Sequence, residues 1–272
     1  MARPVRERLS RVNVLGVGVD PVTVEELHAG IKRLADSGER GTVLNVNANC
    51  LNLLYDDAAL REFFGNADLV FCDGSGVMLA ARLLGRRIPE RITYADWAWR
   101  LAAFAEAEEL SLFLLGAGPG VAEKAAQELR TRHPDLHIAG VEHGYFDHEP
   151  GSRENEAVLL GVNAARPDIL IVGLGMPLQE RWLMENRHRI DAGVALTGGA
   201  VFDYVSGGLR RGPRLLKDNG FEWLARLVVE PRRLWRRYLI GNPLFLLRVL
   251  VQRLGIASYQ RSAISPDRKA DG

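Results

Sequence analysis

Almost to residue 200, short β-rich apolar runs alternate with longer amphipathic stretches, and this alternation restricts the chain to few architectures. The runs are VNVLGVGV (12–19), TVLNVNA (42–48), DLVFCD (68–73), SLFLLGA (111–117), HIAGVEH (137–143), DILIVGLG (168–175) and GVALTGG (193–199). Between them lie helical patterns such as VEELHAGIKRLADS, NLLYDDAALREFFGNA, GVAEKAAQELRTRH and NEAVLLGVNAAR. Continuous hydrophobic strands separated by helices predict an α/β, Rossmann-like fold, with a mostly parallel sheet covered by helices on both faces. Ligands of such sheets bind at the carboxyl ends of the strands. The polar residues at those ends are therefore the candidates for chemistry.

After about residue 204 the strand-like runs stop. The sequence RRGPRLLKDNGFEWLARLVVEPRRLWRRYLIGNPLFLLRVLVQRLG reads as short helices punctuated by Pro213, Gly220, Pro231 and Pro243. From Gly208 to Arg253 there are eleven Arg or Lys and three acids, a net of +8, whereas the whole chain carries +1. Such a basic block calls for an anionic partner: lipid headgroups, nucleic acid or a phosphorylated ligand. Arginines interleaved with tryptophan and leucine suit a membrane interface, and equally suit a helix pair packed on the body with a solvated face. No apolar run approaches the roughly 20 residues that span a bilayer, and nothing at the N-terminus resembles a signal peptide. With only Cys50 and Cys72 in 272 residues, a reducing, cytoplasmic setting is expected. The expected divisions are a basic tail (1–11), an α/β core (12–205), a basic helical appendage that associates with membrane (206–255) and a disordered tail (256–272).

Two strand ends carry glycines suited to an anion at a helix N-terminus, GAGPG (116–120) and GLGMP (173–177). Neither is a full G-x-G-x-x-G. Glu142 ends the strand after GAGPG at about the spacing of a ribose-binding acid, so an NAD-binding oxidoreductase is the alternative reading. The histidines His133, His137, His143 and His148 straddle a proline and a strand, so they share no helical face and predict no metal site. There is no D-x-D and no G-x-S-x-G nucleophile elbow. The strand ends do gather polar groups: Asn45, Asn47, Asn49, Asp73, Tyr145, Gln179 and Asp203. Each alone fits a turn or a cap. Converging on one sheet edge, they would line a hydrogen-bonding cleft with Asp73 as its acid–base candidate.

These segments resemble the WecG/TagA/CpsF family of bacterial glycosyltransferases. The resemblance rests on NVNANCLNLL (45–54), DLVFCDGSGV (68–77), ERITYADW (90–97), LFLLGAGPGVAEKAA (112–126), HGYF (143–146), PDILIVGLGMPLQERW (167–182), GGAVFDYVSGGLRRGP (198–213) and GFEWLARLVVEPRRLWRRYLIGN (220–242). It implies an inverting, metal-independent enzyme without cofactors that moves a sugar of the ManNAc, ManNAc uronate or glucose type. The donor would be a UDP-sugar and the acceptor a saccharide on undecaprenyl diphosphate. The setting would be peripheral, on the cytoplasmic face of an anionic membrane; no nucleic acid is implied, and a homo-oligomer is compatible.

By the resemblance Asp73 is the general base. Asn45, Asn47, Gly116, Tyr145, Gly173, Gly175, Gln179 and Asp203 fall to the donor. Thr93, Arg210, Arg211 and Arg214 fall to the acceptor or the diphosphate. The chain departs from the family pattern where T-x-N-P-E is usual, reading Asn45-Val46-Asn47-Ala48-Asn49, and where R-A-P is usual, reading Arg211-Gly212-Pro213.

Overall fold

The computed structural model describes residues 11–209, 224, 227 and 231–255. Residues 12–19, expected as one strand of the sheet, fold back instead as an antiparallel hairpin, β1 (Val12–Val14) and β2 (Val17–Val19). The cause is local. Leu15 and Gly16 both adopt positive φ, 53° and 86°, the two-residue turn whose twist matches paired strands. The Asn13 side chain accepts from the Gly16 N–H at 2.9 Å.

The other six runs form one parallel sheet. Its strands are β3 (Gly41–Val46), β4 (Leu69–Cys72), β5 (Leu112–Gly116), β6 (Ile138–Glu142), β7 (Ile169–Gly173) and β8 (Val194–Thr197), in the order β4-β3-β8-β7-β5-β6. Side chains alternate across it. Ile169 and Ile171 enter one core while Leu170 and Val172 enter the other, and Val43 and Leu44 divide likewise. One face is covered by α1 (Val24–Asp36), α5 (Tyr94–Ala107), α6 (Val121–Arg132) and α9 (Val201–Val205). The opposite face takes the hairpin with α2 (Ala48–Asp56), α3 (Ala58–Asn66), α4 (Ser75–Leu83), α7 (Arg153–Ala165) and α8 (Leu178–Asn186).

The stretch NLLYDDAALREFFGNA, read as one helix, is two. Asp57 ends α2 in an extended conformation, and its carboxylate caps α3 by accepting from the Leu60 N–H at 3.0 Å. The capping bond offers the backbone an alternative to continuing the helix.

The two ends of the sheet differ. At the amino end, polar side chains close the backbone. Asp68 accepts from the Thr42 N–H at 2.7 Å, Asp168 from the Ser111 N–H at 2.7 Å, and the buried Arg187 guanidinium donates to the carbonyls of Gly41, Ile190 and Ala192. Burial pulls the pKa of Arg187 down to about 10, which still leaves it charged at neutral pH. The carboxyl end is left for chemistry.

The appendage returns to the body. After α10 (Pro231–Trp235) and a π-helical turn, α11 (Gly241–Arg253) buries Phe245 and Val249 in the second core. Arg248 lies 4.2 Å from the centre of the Tyr55 ring and donates to Asn52 O at 3.0 Å and to Asp56 at 2.9 Å. Asn52 in turn donates to Gly241 O at 2.7 Å.

Where β5 and β7 end side by side, Gly116 has φ 143°, and a Cβ there would run into the Gly173 backbone. Gly116→Ala is expected to destabilise the fold by about 2–4 kcal/mol, read as a lower midpoint in urea denaturation with an unchanged slope.

Candidate active site

The carboxyl edge is organised by side chains that reach from strand to strand. The Asn45 N–H donates to Thr197 Oγ1 at 3.2 Å, so the threonine proton is left to bond Asn45 Oδ1, at 2.8 Å. That fixes the amide orientation. Asn45 Nδ2 then donates to Asp73 Oδ2 at 3.0 Å. A line of hydrogen bonds thus runs from β8 through β3 to the residue after β4, and Asn45 and Thr197 are both buried in it. The Asp73 N–H is held by Val46 O at 2.8 Å. Gly74, not Asp73, occupies the cap position of α4. Asp73 is half-buried, and its Oδ2 is held by Asn45.

Asn47 caps α2, its Oδ1 accepting from the Cys50 N–H at 3.1 Å. The same oxygen is approached by Arg237 Nη2 at 3.5 Å. Arg237 belongs to the π-helical turn of the appendage, so a basic residue from the C-terminal region does reach the strand ends. The expected arginines, Arg210, Arg211 and Arg214, lie outside the described residues.

Gln179 is fully buried beneath the edge. Its Oε1 accepts from the Gly199 N–H at 2.9 Å and the Gly175 N–H at 3.2 Å, and its Nε2 donates to Glu180 at 2.7 Å. It ties the turn after β7 to the turn after β8, so its polar atoms shape the backbone around Gly173 and Gly175. Gly116 lies beside that turn, the next residue's N–H donating to Gly173 O at 3.1 Å. Tyr145 follows β6, is 74% exposed, and stands over the Gly118 turn. Asp203 is half-buried on α9, just past the Gly198-Gly199 turn. Thr93 occupies the N-cap position of α5, without a side-chain capping bond, on the outer side of β4, where the Ile92 N–H donates to Cys72 O at 2.9 Å.

The structure therefore brings Asn45, Asn47 and Asp73 together and places Gly116, Gly173, Gly175 and Gln179 in a second group of turns. Tyr145 and Thr93 stand at opposite ends of the edge. Sequence reasoning missed Thr197, Glu180 and Arg237. Only Arg237 carried a signal, as one of the arginines in EPRRLWRRYL. Among the described residues no three His, Cys, Asp or Glu side chains are grouped to hold a metal ion.

Residues 12–259 match the Glycosyl transferase WecG/TagA/CpsF family. The chain belongs to this family. It is a glycosyltransferase. Among its relatives is an N-acetylglucosaminyldiphosphoundecaprenol N-acetyl-beta-D-mannosaminyltransferase of Staphylococcus aureus strain NCTC 8325 / PS 47, 27% identical over 246 residues, which are 90% of this chain and 94% of that one. The proteins of the same name from strains COL and MW2 match to the same extent.

Glu180 gives this glycosyltransferase site a buried acid. It is 2% exposed, one oxygen is bonded to Gln179, and the other has no hydrogen-bond partner among the described residues. Burial therefore pushes its pKa up from 4.5 to about 7. Between those values the unfolded chain has lost the proton while the folded one still holds it. This contribution to stability is complete below pH 4.5 and is lost as pH rises through about 7. Glu180→Gln keeps the bond from Gln179 and removes the ionisation. Its melting temperature should match the wild type near pH 4 and exceed it at pH 8, by the equivalent of roughly 2–3 kcal/mol, in paired thermal melts across that range.

Proposed function

We propose that this glycosyltransferase transfers a sugar with inversion from a UDP-sugar to a lipid-linked saccharide, with Asp73 as general base. The observation that carries the reading is the Thr197–Asn45–Asp73 line of hydrogen bonds, which holds a carboxylate at the sheet edge where ligands of this architecture bind. The Staphylococcus relatives are named for transfer of N-acetylmannosamine to N-acetylglucosaminyldiphosphoundecaprenol. Similarity over 90% of this chain supports an undecaprenyl-diphosphate-linked acceptor and a role in assembling cell-surface polymers.

In this mechanism the Asp73 carboxylate takes the proton of the acceptor hydroxyl as its oxygen bonds to the anomeric carbon of the donor. The bond from that carbon to the diphosphate oxygen breaks on the opposite face, and UDP leaves with the electron pair. The anomeric configuration inverts. The departing diphosphate gains charge, which Arg237 and the N–H groups of the glycine turns can stabilise. Tyr145 offers an aromatic face to the nucleotide base, and Asp203 lies toward the same side. No metal is required in this scheme.

A lipid-linked acceptor requires contact with the membrane, and the appendage has a surface for it. Trp235, Leu239, Ile240, Leu247 and Leu254 are exposed, on helices whose other side is packed against the body. Exposed Arg232 and Arg236 flank them. An apolar face edged by arginines binds anionic lipid surfaces. Among the described residues no helix is long and apolar enough to cross a membrane. The reading is a peripheral enzyme at the inner leaflet.

Two measurements test these assignments. In a UDP-release assay with a panel of UDP-sugars and a short-chain polyprenyl-diphosphate-linked N-acetylglucosamine, Asp73→Asn should lower kcat by about 10²–10⁴ while UDP still binds. An unchanged kcat removes Asp73 from the role of base. Replacing Leu239, Ile240 and Leu247 with serine should release the protein from phosphatidylglycerol vesicles in a sedimentation assay without lowering its melting temperature. Full retention on the vesicles would place the membrane contact elsewhere.

A further inference from the structure

On the outer side of β4, away from β3 and Asn45, lies a buried hydroxyl with no partner among the described residues. β4 is the edge strand, and the segment leading into α5 runs along its outer side, joined by the Ile92 N–H to Cys72 O bond. Tyr94, the first residue of α5, thereby comes next to the strand end. Its ring is fixed by Phe71 and Trp97, with centroids 5.8 and 5.0 Å away. The residue is 5% exposed, and its buried hydroxyl has no hydrogen-bond partner among the described residues. The pKa of Tyr94 is raised well above 10, chiefly by burial and then by the negative charge of Asp73.

A buried hydroxyl without a partner destabilises a fold. Phenylalanine would fill the same space without that cost. The position carries the hydroxyl nonetheless, within a cluster that is otherwise aromatic.

Sheet order says which substrate it meets. The glycine turns after β8, β7 and β5 lie on the far side of β3 from β4. Tyr94 is thus on the side of Asp73 opposite the diphosphate turns, where the nucleophile must approach if the leaving group departs from them.

We propose that Tyr94 is an acceptor-specificity residue, whose hydroxyl donates a hydrogen bond to the acceptor sugar and selects which of its hydroxyls meets Asp73. This rests on the reading of Asp73 as base. A buried donor left unpaired by the wrong sugar discriminates more sharply than an apolar contact does. The residue supplies hydrogen-bond geometry and takes no part in proton transfer.

The test is Tyr94→Phe in the full chain, which deletes one oxygen atom. Binding of the short-chain polyprenyl-diphosphate-linked N-acetylglucosamine, measured by calorimetry, should weaken by about 10- to 100-fold. kcat/KM for that acceptor should fall to a similar degree, with KM for the donor unchanged. The melting temperature should hold or rise by up to a few degrees. A purely structural hydroxyl gives the opposite pattern, a lower melting temperature with acceptor affinity intact, and that result overturns the proposal. So does an unchanged acceptor Kd. Asp73→Asn in the same assays separates the two readings. If it retains kcat, the base assignment fails whatever Tyr94→Phe does. If it loses kcat while Tyr94→Phe binds acceptor normally, only the Tyr94 assignment fails. Absence of acceptor binding by the wild type overturns both.

Discussion

A parallel sheet covered on both faces has no polar surface except at its two ends. In this chain the strands are apolar on both sides, and Val43, Leu44, Ile169, Leu170, Ile171 and Val172 are all buried. Every hydrogen-bonding side chain that serves the sheet is therefore displaced to an edge. At the amino edge Asp68, Asp168 and Arg187 satisfy strand and turn backbone and leave a closed surface. At the carboxyl edge Thr197 and Asn45 pass their hydrogen bonds sideways until they end on a carboxylate. The same demand, that buried polar atoms be paired, closes one end and arms the other.

The second helix joins this edge to the C-terminal appendage. Its first turn is capped by Asn47, which Arg237 approaches, and its later turns hold Arg248 through Asn52, Tyr55 and Asp56. One rigid element thus fixes a cation of the appendage relative to Asp73. The appendage presents apolar side chains on both sides, Phe245 and Val249 inward and Leu247 and Leu254 outward. Such a helix suits the proposed contact with a lipid surface.

Not every buried polar group here is satisfied. Among the described residues, Glu180 holds an unpaired oxygen under the turns that Gln179 ties together, and Tyr94 an unpaired hydroxyl beside β4, the strand that Asp73 follows. Both flank the same edge. Local rules of packing are broken most often where a site is built.

The parallel sheet, its helical covering and the strand-end positions of Asn45, Asn47, Asp73 and Gln179 were legible in the sequence, because burial on two faces imposes a continuous apolar run that a local window detects. The resemblance of the ordered motifs marked Asp73 among them. Local chemistry misled in two places: the Leu15-Gly16 turn made a hairpin of an expected strand, and Asp57 divided an expected helix. Sequence could not reveal that Gln179 faces backbone, that Thr197 orients Asn45, or that Arg237 returns to Asn47 across 190 positions. Those relations depend on strand order, β4-β3-β8-β7-β5-β6, which brings residues from distant segments to one edge. Periodicity determines what each segment becomes; only the closing of the sheet decides which side chains meet.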